Sequence, residues 1–369
     1  MKLSPKENFL RMMQRREPQR LPLDLPMTPP VRERLAFKLQ ADDVFDALQS
    51  DVRSIGALRQ VDVEPWRQAY AQLGYVLPPD AEIDMFGITH VPPPPESIGQ
   101  ATHFRTMLHP LEAVTDVAQL EKLPWPQLLP PDVLERLARQ TAAVHERGYV
   151  VLGQNECTIF EHAWYLRGMD NLFMDLAEGT GIADWLMDYF TERSARFAEA
   201  YVRAGADVIG LGDDVGTQRG MMMSVEMWRE HLRPRLKRVI DAIRAAQGDR
   251  HVYVRYHSDG DIRPIIDELI GIGVDILNPV QPESMPVDEV ISSHRDHLAF
   301  WGMIGTQTVM PFGTTEDVRS AVADCARLAA NGAPIVVAPT HVLEPDVPDE
   351  NIFALVDAVQ QSCLTPMNS

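Results

Sequence analysis

Cysteine, positive charge, long apolar runs and glycine-rich nucleotide loops are all scarce in this chain, and each scarcity excludes something. The three cysteines, Cys157, Cys325 and Cys363, lie far apart and form no C-x-x-C pair, so neither a disulfide framework nor a zinc ribbon is encoded. That usage predicts a reducing, cytoplasmic location. The opening "MKLSPKENFLRMMQRREPQR" has no continuous apolar stretch of the kind a secretory signal needs. No run approaches the roughly 20 residues of a membrane span. Basic residues number 34 against 53 acidic ones, for a formal net charge of −19. A surface of that sign repels phosphate backbones and argues against nucleic acid as a partner. No strand-linked G-x-G-x-x-G and no P-loop is present, which weighs against the doubly wound nucleotide-binding folds.

What is there reads as an α/β protein. The chain has 369 residues, 45% hydrophobic and 24% charged, enough for a core that needs neither disulfide nor structural metal. Residues 4 to 16 predict a short helix, "RLPLDLP" a first strand, and residues 30 to 50 a helical stretch. The Pro-rich segments at 91–97 and 123–132 predict ordered loops or linkers. Residues before about 110 form N-terminal strand, helices and an insertion. From 132 to 362 a regular rhythm runs: helix 132–147, "YVVLGQNE", a long helical zone, "ADVIGLGDD", a helix capped by Ser224, "HVYVRYHSD", helix, "VDILNPVQ", short helix, "LAFWGMIGTQ", a helix opening at Thr314, "APIVVAPTH" and a last helix starting near Pro348. Strands alternating with helices make a parallel sheet. With a weak strand candidate at "IDMFGITH" the count approaches eight, which predicts one (β/α)₈ barrel domain over 1–369.

Nearly every apolar strand ends in residues that can do chemistry: Gln154, Asn155 and Glu156; Asp213 and Asp214; His257 and Asp259; Asn278 and Gln281; Gln307; His341. In a barrel those ends converge on one mouth, where active sites of this fold lie. Burying such groups without purpose would cost several kcal/mol, on the order expected for unpaired polar groups. Gln218, just past Asp214, joins Gln154, Glu156, Asn278, Gln281 and Gln307 as a candidate substrate contact. His257 and Asp259 share parity on an extended strand, so they can chelate a metal, form an acid–base pair, or simply satisfy one another. Asp213 and Asp214 point to opposite sides, so one faces the mouth and the other caps a turn. Arg255 can offset an acidic mouth or serve an internal ion pair. Trp164, Trp228 and Trp301 are expected between helices and barrel, and Cys157 as a structural thiol.

With these residues in view, the chain resembles the uroporphyrinogen decarboxylase superfamily along almost its whole length. The likeness is carried by "ENFLRMMQRREPQRLPLDL", "IDMFGI", "LGDDVGTQRG", "YHSDG", "GVDILNPVQP", "FWGMIGTQTVMPFGTTEDVR" and "APTHVLEPDVPDENI". The resemblance implies a distorted (β/α)₈ barrel. It also covers several activities, because fold does not fix function. The decarboxylases carry R-Q-A-G-R after the first strand to hold substrate carboxylates. Here that region reads "PMTPPVRERLAF", with Arg32 and Arg34 but no such motif, which points away from true uroporphyrinogen decarboxylase. The methyltransferase branch binds zinc through H-x-C on one strand and a Cys at the end of the last. His257 matches its His, Asp259 stands at its first Cys and His341 at its second. The resemblance therefore implies a metal site of His257, Asp259 and His341, suited to zinc and open to manganese or iron.

The expected function is a metal-dependent methyltransferase or demethylase acting on a small methylated substrate. His257 with Asp213 or Asp214 would do acid–base work. The methyl acceptor would be a corrinoid, carried by a separate protein or free, or tetrahydrofolate, because no corrinoid-binding D-x-H-x-x-G segment occurs in the chain. A homodimer is a compatible assembly. Two rivals share the residues: a metal-free decarboxylase of a small acid, and a non-catalytic small-molecule binding barrel.

Overall fold

The computed structural model describes residues 2–92 and 106–362. Its centre is a parallel sheet of seven strands, each beside its successor in the chain: β1 (Val52–Gly56), β2 (Val150–Gln154), β3 (Val208–Gly212), β4 (Tyr253–His257), β5 (Ile276–Asn278), β6 (Ala299–Trp301) and β7 (Ile335–Val336). Consecutive parallel strands require crossovers, and here these are largely helical. β2 to β5 are almost wholly buried, as parallel strands covered on both faces are. Among the described residues no helix is long and apolar enough to cross a membrane.

The sheet curls until its two edges approach one segment, "RLPLDLP". Leu23 and Met27 make isolated parallel bridges to Val337 and Leu343, beyond β7. On the other side the Asp51 amide donates to the Leu23 carbonyl at 2.8 Å, and the Asp51 carboxylate accepts from the Leu23 amide at 2.8 Å. The expected first strand is thus present as an extended stave rather than a ladder. Pro22 and Pro26 lack the N–H groups that a ladder needs.

The other N-terminal expectations need correction. "IDMFGITH" is no barrel strand. Glu82–Ile83 and Thr89–Val91 form an antiparallel hairpin, joined by Thr106–Leu108 in a separate three-stranded sheet. Its turn is set by Asp84, whose carboxylate accepts the amides of Phe86 and Ile88 at 2.8 and 2.9 Å. β1, "VRSIG", lies at the sheet edge instead. Its Arg53 interrupts the apolar pattern, yet the guanidinium is buried, bonded to the carbonyls of Ser50 and Val52 and to Asp46, over the Tyr149 ring. The helical stretch 30–50 is two helices, Pro29–Leu39 and Val44–Ala47, split where Gln40 turns left-handed (φ 50°). The Pro-rich stretch at 91–97 and Cys363 fall mostly or wholly outside the described residues.

Later helices follow their sequence signals. Pro131–Glu146 occupies the expected span. Ser224 caps the Met227 amide at 3.1 Å, and Thr314 forms a capping box with Asp317. Leu232, Leu236, Val239, Ile240 and Ile243 all turn into the core. Trp228 is fully buried, but Trp301 corrects its expected place. It faces the sheet's concave interior, where its Nε1–H donates to Asp24 at 3.1 Å.

Candidate metal centre and pocket

The C-terminal ends of the strands open into a cavity of about 400 Å³, lined by residues of the 24–27 stave, β1, β2, β4, β5, β6 and the segment 338–342. His257 closes β4. Register aligns it with Gly212 of β3 on one side and Asn278 of β5 on the other. A Cβ on Gly212 would lie 2.1 Å from the His257 carbonyl oxygen, and one on Gly216 would lie 2.6 Å from that of Asp259. These contacts are backbone against backbone, so the glycines of "LGDDVG" are what let the β3 loop brace the β4 loop.

His257, Asp259 and His341 meet in this mouth. Each offers one ligand atom, and the three atoms lie within 4.8 Å of one another. His257 is oriented from behind: its Nδ1 lies 2.8 Å from Asn278 Oδ1, and Asn278 Nδ2 donates to the Trp301 carbonyl at 2.7 Å. Because Oδ1 only accepts, Nδ1 carries a proton, and Nε2 is the nitrogen turned to the cluster, able to bind a metal once its own proton leaves. Nε2 faces Asp259 at 3.9 Å and Asp214 at 3.7 Å. Two imidazole nitrogens and a carboxylate oxygen, with the outer nitrogen of one ring already bonded, suit zinc and equally admit manganese or iron.

The electrostatics agree with that donor set. Burial alone would lower the His257 pKa, but Asp214, Glu156 and Asp259 outweigh it and hold the value at about 9. A cluster that binds a proton this firmly is one that favours a cation. Glu156 faces the cavity and is kept ionised: burial opposes, but the charges of Arg255 and His257 bring its pKa below the usual range. Arg255 ion-pairs with Glu156, stacks over the Trp301 ring at 4.8 Å and lies 4.0 Å from Asp24. Gln154 donates to Glu156 at 2.6 Å. A Cβ on Gly210 would stand 3.2 and 3.3 Å from the Glu156 and Arg255 side chains, so the bare glycine leaves room for the pair.

The two aspartates after β3 divide their tasks. Asp213 is buried and accepts the amides of Ile159 and Glu161 at 2.9–3.0 Å, capping the helix Phe160–Arg167. Burial raises its pKa to about 6, with those amides pulling against the rise. Asp214 is the one beside His257, and its carboxylate accepts the Asp259 amide at 2.8 Å.

The other expected contacts separate. Gln154, Glu156 and Asn278 line the cavity, though the Asn278 amide is already engaged with His257 and Trp301. Gln281 does not line it. It is buried, and its side-chain Oε1 accepts the Gly260 amide at 3.0 Å. Gln218 and Gln307 are exposed on turns and are not among the residues that line the cavity. Asn155 turns inward to the Ser194 carbonyl. Burial, with Glu161 and Asp213 nearby, raises the Cys157 pKa well above normal, leaving a protonated thiol. Sequence reasoning passed over Asp24 and Ser54, which also line the cavity. Asp24 ends the apolar part of the first stave and was open to the same strand-end argument.

Known proteins can now be set beside this geometry. Curated relatives include two named methylcobamide:CoM methyltransferase MtaA, from Methanosarcina barkeri and its strain Fusaro / DSM 804. They are 26% and 27% identical over 179 residues, which is 48% of this chain and 49% of theirs. The chain thus spans about half the length of the curated relatives it matches. Among solved structures, a methyltransferase from Methanosarcina mazei superimposes with a TM-score of 0.64 at 18% identity, covering 98% of this chain and 99% of that one. At that identity the likeness shows a shared fold. The uroporphyrinogen decarboxylase (URO-D) family matches residues 76–362, most of the chain, and the protein belongs to that family.

Proposed function

We propose that the protein is a metal-dependent methyltransferase or demethylase of this family, acting on a small methylated substrate. The carrying observation is the convergence of His257, Asp259 and His341 within 4.8 Å at the mouth of the cavity. The names of the relatives, which pair methyl transfer with a methylcobamide, support the same class. In this reading the whole chain is one (β/α)₈ barrel, with residues 21–27 as the eighth stave.

A bound zinc ion would supply Lewis acidity toward a substrate heteroatom. The chain's own residues do the rest. Asn278 fixes the His257 ring, and Asp214 stands close enough to hold or deliver a proton beside it. Glu156 and Gln154 present a carboxylate and an amide to the substrate's polar groups, with Arg255 keeping the carboxylate ionised. Leu25, Met27, Leu152 and Trp301 line apolar parts of the cavity and exclude water. The methyl acceptor, a corrinoid on another protein or tetrahydrofolate, comes from outside the chain.

The test is metal analysis of protein purified without added metal, followed by methyl-transfer assays with and without chelator across methylated aromatics and amines. About one metal per chain and chelator-sensitive transfer are expected. Methyl transfer by rigorously metal-free protein would overturn the metal dependence, and CO₂ release from a small acid with no methyl transfer would favour a decarboxylase.

A further inference from the structure

Glu161 has no place in the site described so far, yet it stands directly behind it. It opens the helix Phe160–Arg167 and is buried. Its Oε2 accepts the Asp214 amide at 3.2 Å, and its Oε1 accepts the Tyr165 hydroxyl at 2.7 Å. The Asp214 carboxylate in turn accepts the Asp259 amide at 2.8 Å. Three consecutive bonds thus run from a helix, through the loop after β3, to the loop after β4 that carries a proposed metal ligand.

We infer that Glu161 is a positioning residue for Asp259, acting through Asp214: its carboxyl anchors the Asp214 backbone, and the Asp214 side chain anchors the Asp259 backbone. The inference takes the His257–Asp259–His341 cluster as the metal site. Buried side chains that hold a liganding element are the outer layer on which metal affinity depends. Glu161 touches neither the ligand atoms nor the cavity, so its effect is geometric. Burial, with Asp214 and Asp213 beside it, pushes its carboxyl up to about 8. At neutral pH it is therefore a neutral acid, which glutamine imitates in shape and charge.

The test compares Glu161→Ala and Glu161→Gln with Leu137→Ala, a cavity in the buried face of the helix Pro131–Glu146 that lowers thermal stability without touching the chain of bonds. The first readout is the Asp259 backbone amide in metal-free protein, by NMR shift and hydrogen exchange. Glu161→Ala should move the resonance and speed its exchange about tenfold, while Glu161→Gln and Leu137→Ala leave it in place. The second readout is cobalt(II) affinity by absorbance titration. It should fall by about tenfold or more in Glu161→Ala, the range for lost outer-layer partners. Glu161→Gln should keep it, and Leu137→Ala should leave it unchanged.

An unmoved Asp259 amide in Glu161→Ala overturns the inference. So does an equal loss of cobalt affinity in Leu137→Ala. If wild-type protein takes up no cobalt, the metal reading fails on its own and the amide readout alone decides the positioning role. Should Glu161→Ala not fold, Glu161→Leu keeps the bulk and removes both acceptors, and an unmoved Asp259 amide there overturns the inference equally.

Discussion

His257 and His341 stand with ring centroids 6.0 Å apart, although one closes β4 and the other lies beyond β7, strands that are not neighbours in the sheet. Only a sheet curled back on itself brings those two strand ends together. Asp259, two residues beyond His257, completes the set. His257→Ala and His341→Ala should each reduce bound zinc from about one per chain to a trace. Methyl transfer should vanish with it, while the circular dichroism spectrum and melting temperature stay near wild type, since a core of this size does not depend on metal. Asp259→Asn should weaken zinc by removing the ligand charge. Asp259→Cys should tighten it through a softer donor. Metal content by mass spectrometry checks all four, and full zinc occupancy in His341→Ala would refute the shared site.

Asn278 gives an independent handle. Its Oδ1 fixes the His257 ring and its Nδ2 the Trp301 carbonyl. Asn278→Ala should cost roughly 10–100-fold in zinc affinity, with a loss of about 1–3 kcal/mol in stability from the unpaired groups. Asn278→Asp keeps an acceptor for Nδ1 and should retain more affinity than the alanine variant. Competition titration with a chromophoric chelator ranks the three proteins, and equal affinity for all would remove Asn278 from the site's support.

The sequence made some of this legible and hid the rest, for identifiable reasons. From residue 132 onward, continuous Val, Ile and Leu runs marked buried parallel strands, and caps such as Ser224 and Thr314 marked helix starts. Asp213 and Asp214 do part company, Asp213 to the amides of Ile159 and Glu161 and Asp214 to that of Asp259, but both lie in the loop beyond β3, where strand parity does not operate. β1 was missed since Arg53 breaks its apolar pattern, and its burial depends on Asp46 and Tyr149, partners that only the fold supplies. Gln218 and Gln307 follow strand ends in sequence but sit exposed on turns outside the cavity lining, which side-chain spacing alone does not reveal. Glu161 gave no signal at all: it lies on a helix, and its partner is a backbone amide 53 residues away.

The haem-pathway reaction should be negligible. A substrate bearing many carboxylates needs a cationic clamp, and the two arginines of "PPVRERLAF" do not form one. Arg34 is held by Asp349 and by the carbonyls of Pro345 and Val347, which leaves Arg32 alone of the pair at the cavity. Conversion of uroporphyrinogen to coproporphyrinogen, followed by chromatography under anaerobic conditions, should stay at the background rate. Efficient stepwise decarboxylation would show that the clamp is supplied elsewhere.

Stability should fall as pH rises through the neutral range, in part because of Glu161. Burial, then Asp214 and Asp213, raise its carboxyl from 4.5 to about 8, so between those values the folded chain holds a proton that the unfolded chain has lost. The sign follows: the favourable contribution is complete below about pH 4.5 and disappears as pH climbs through about 8. Asp213, raised by burial to about 6, acts in the same direction over a lower window. His257, held at about 9, does so over a higher one. Tyr165 and Cys157, which face Glu161, stay protonated throughout, both pushed up by burial. Comparing Glu161→Gln with wild type removes the contributions of groups remote from Glu161. The two proteins should melt together near about pH 4.5. The variant should melt progressively higher than wild type towards about pH 8, because only wild type then has to give up a proton to stay folded. Melting curves of metal-free protein across that range make the measurement, and a difference that does not change with pH would mean that Glu161 is already ionised in the folded chain at low pH.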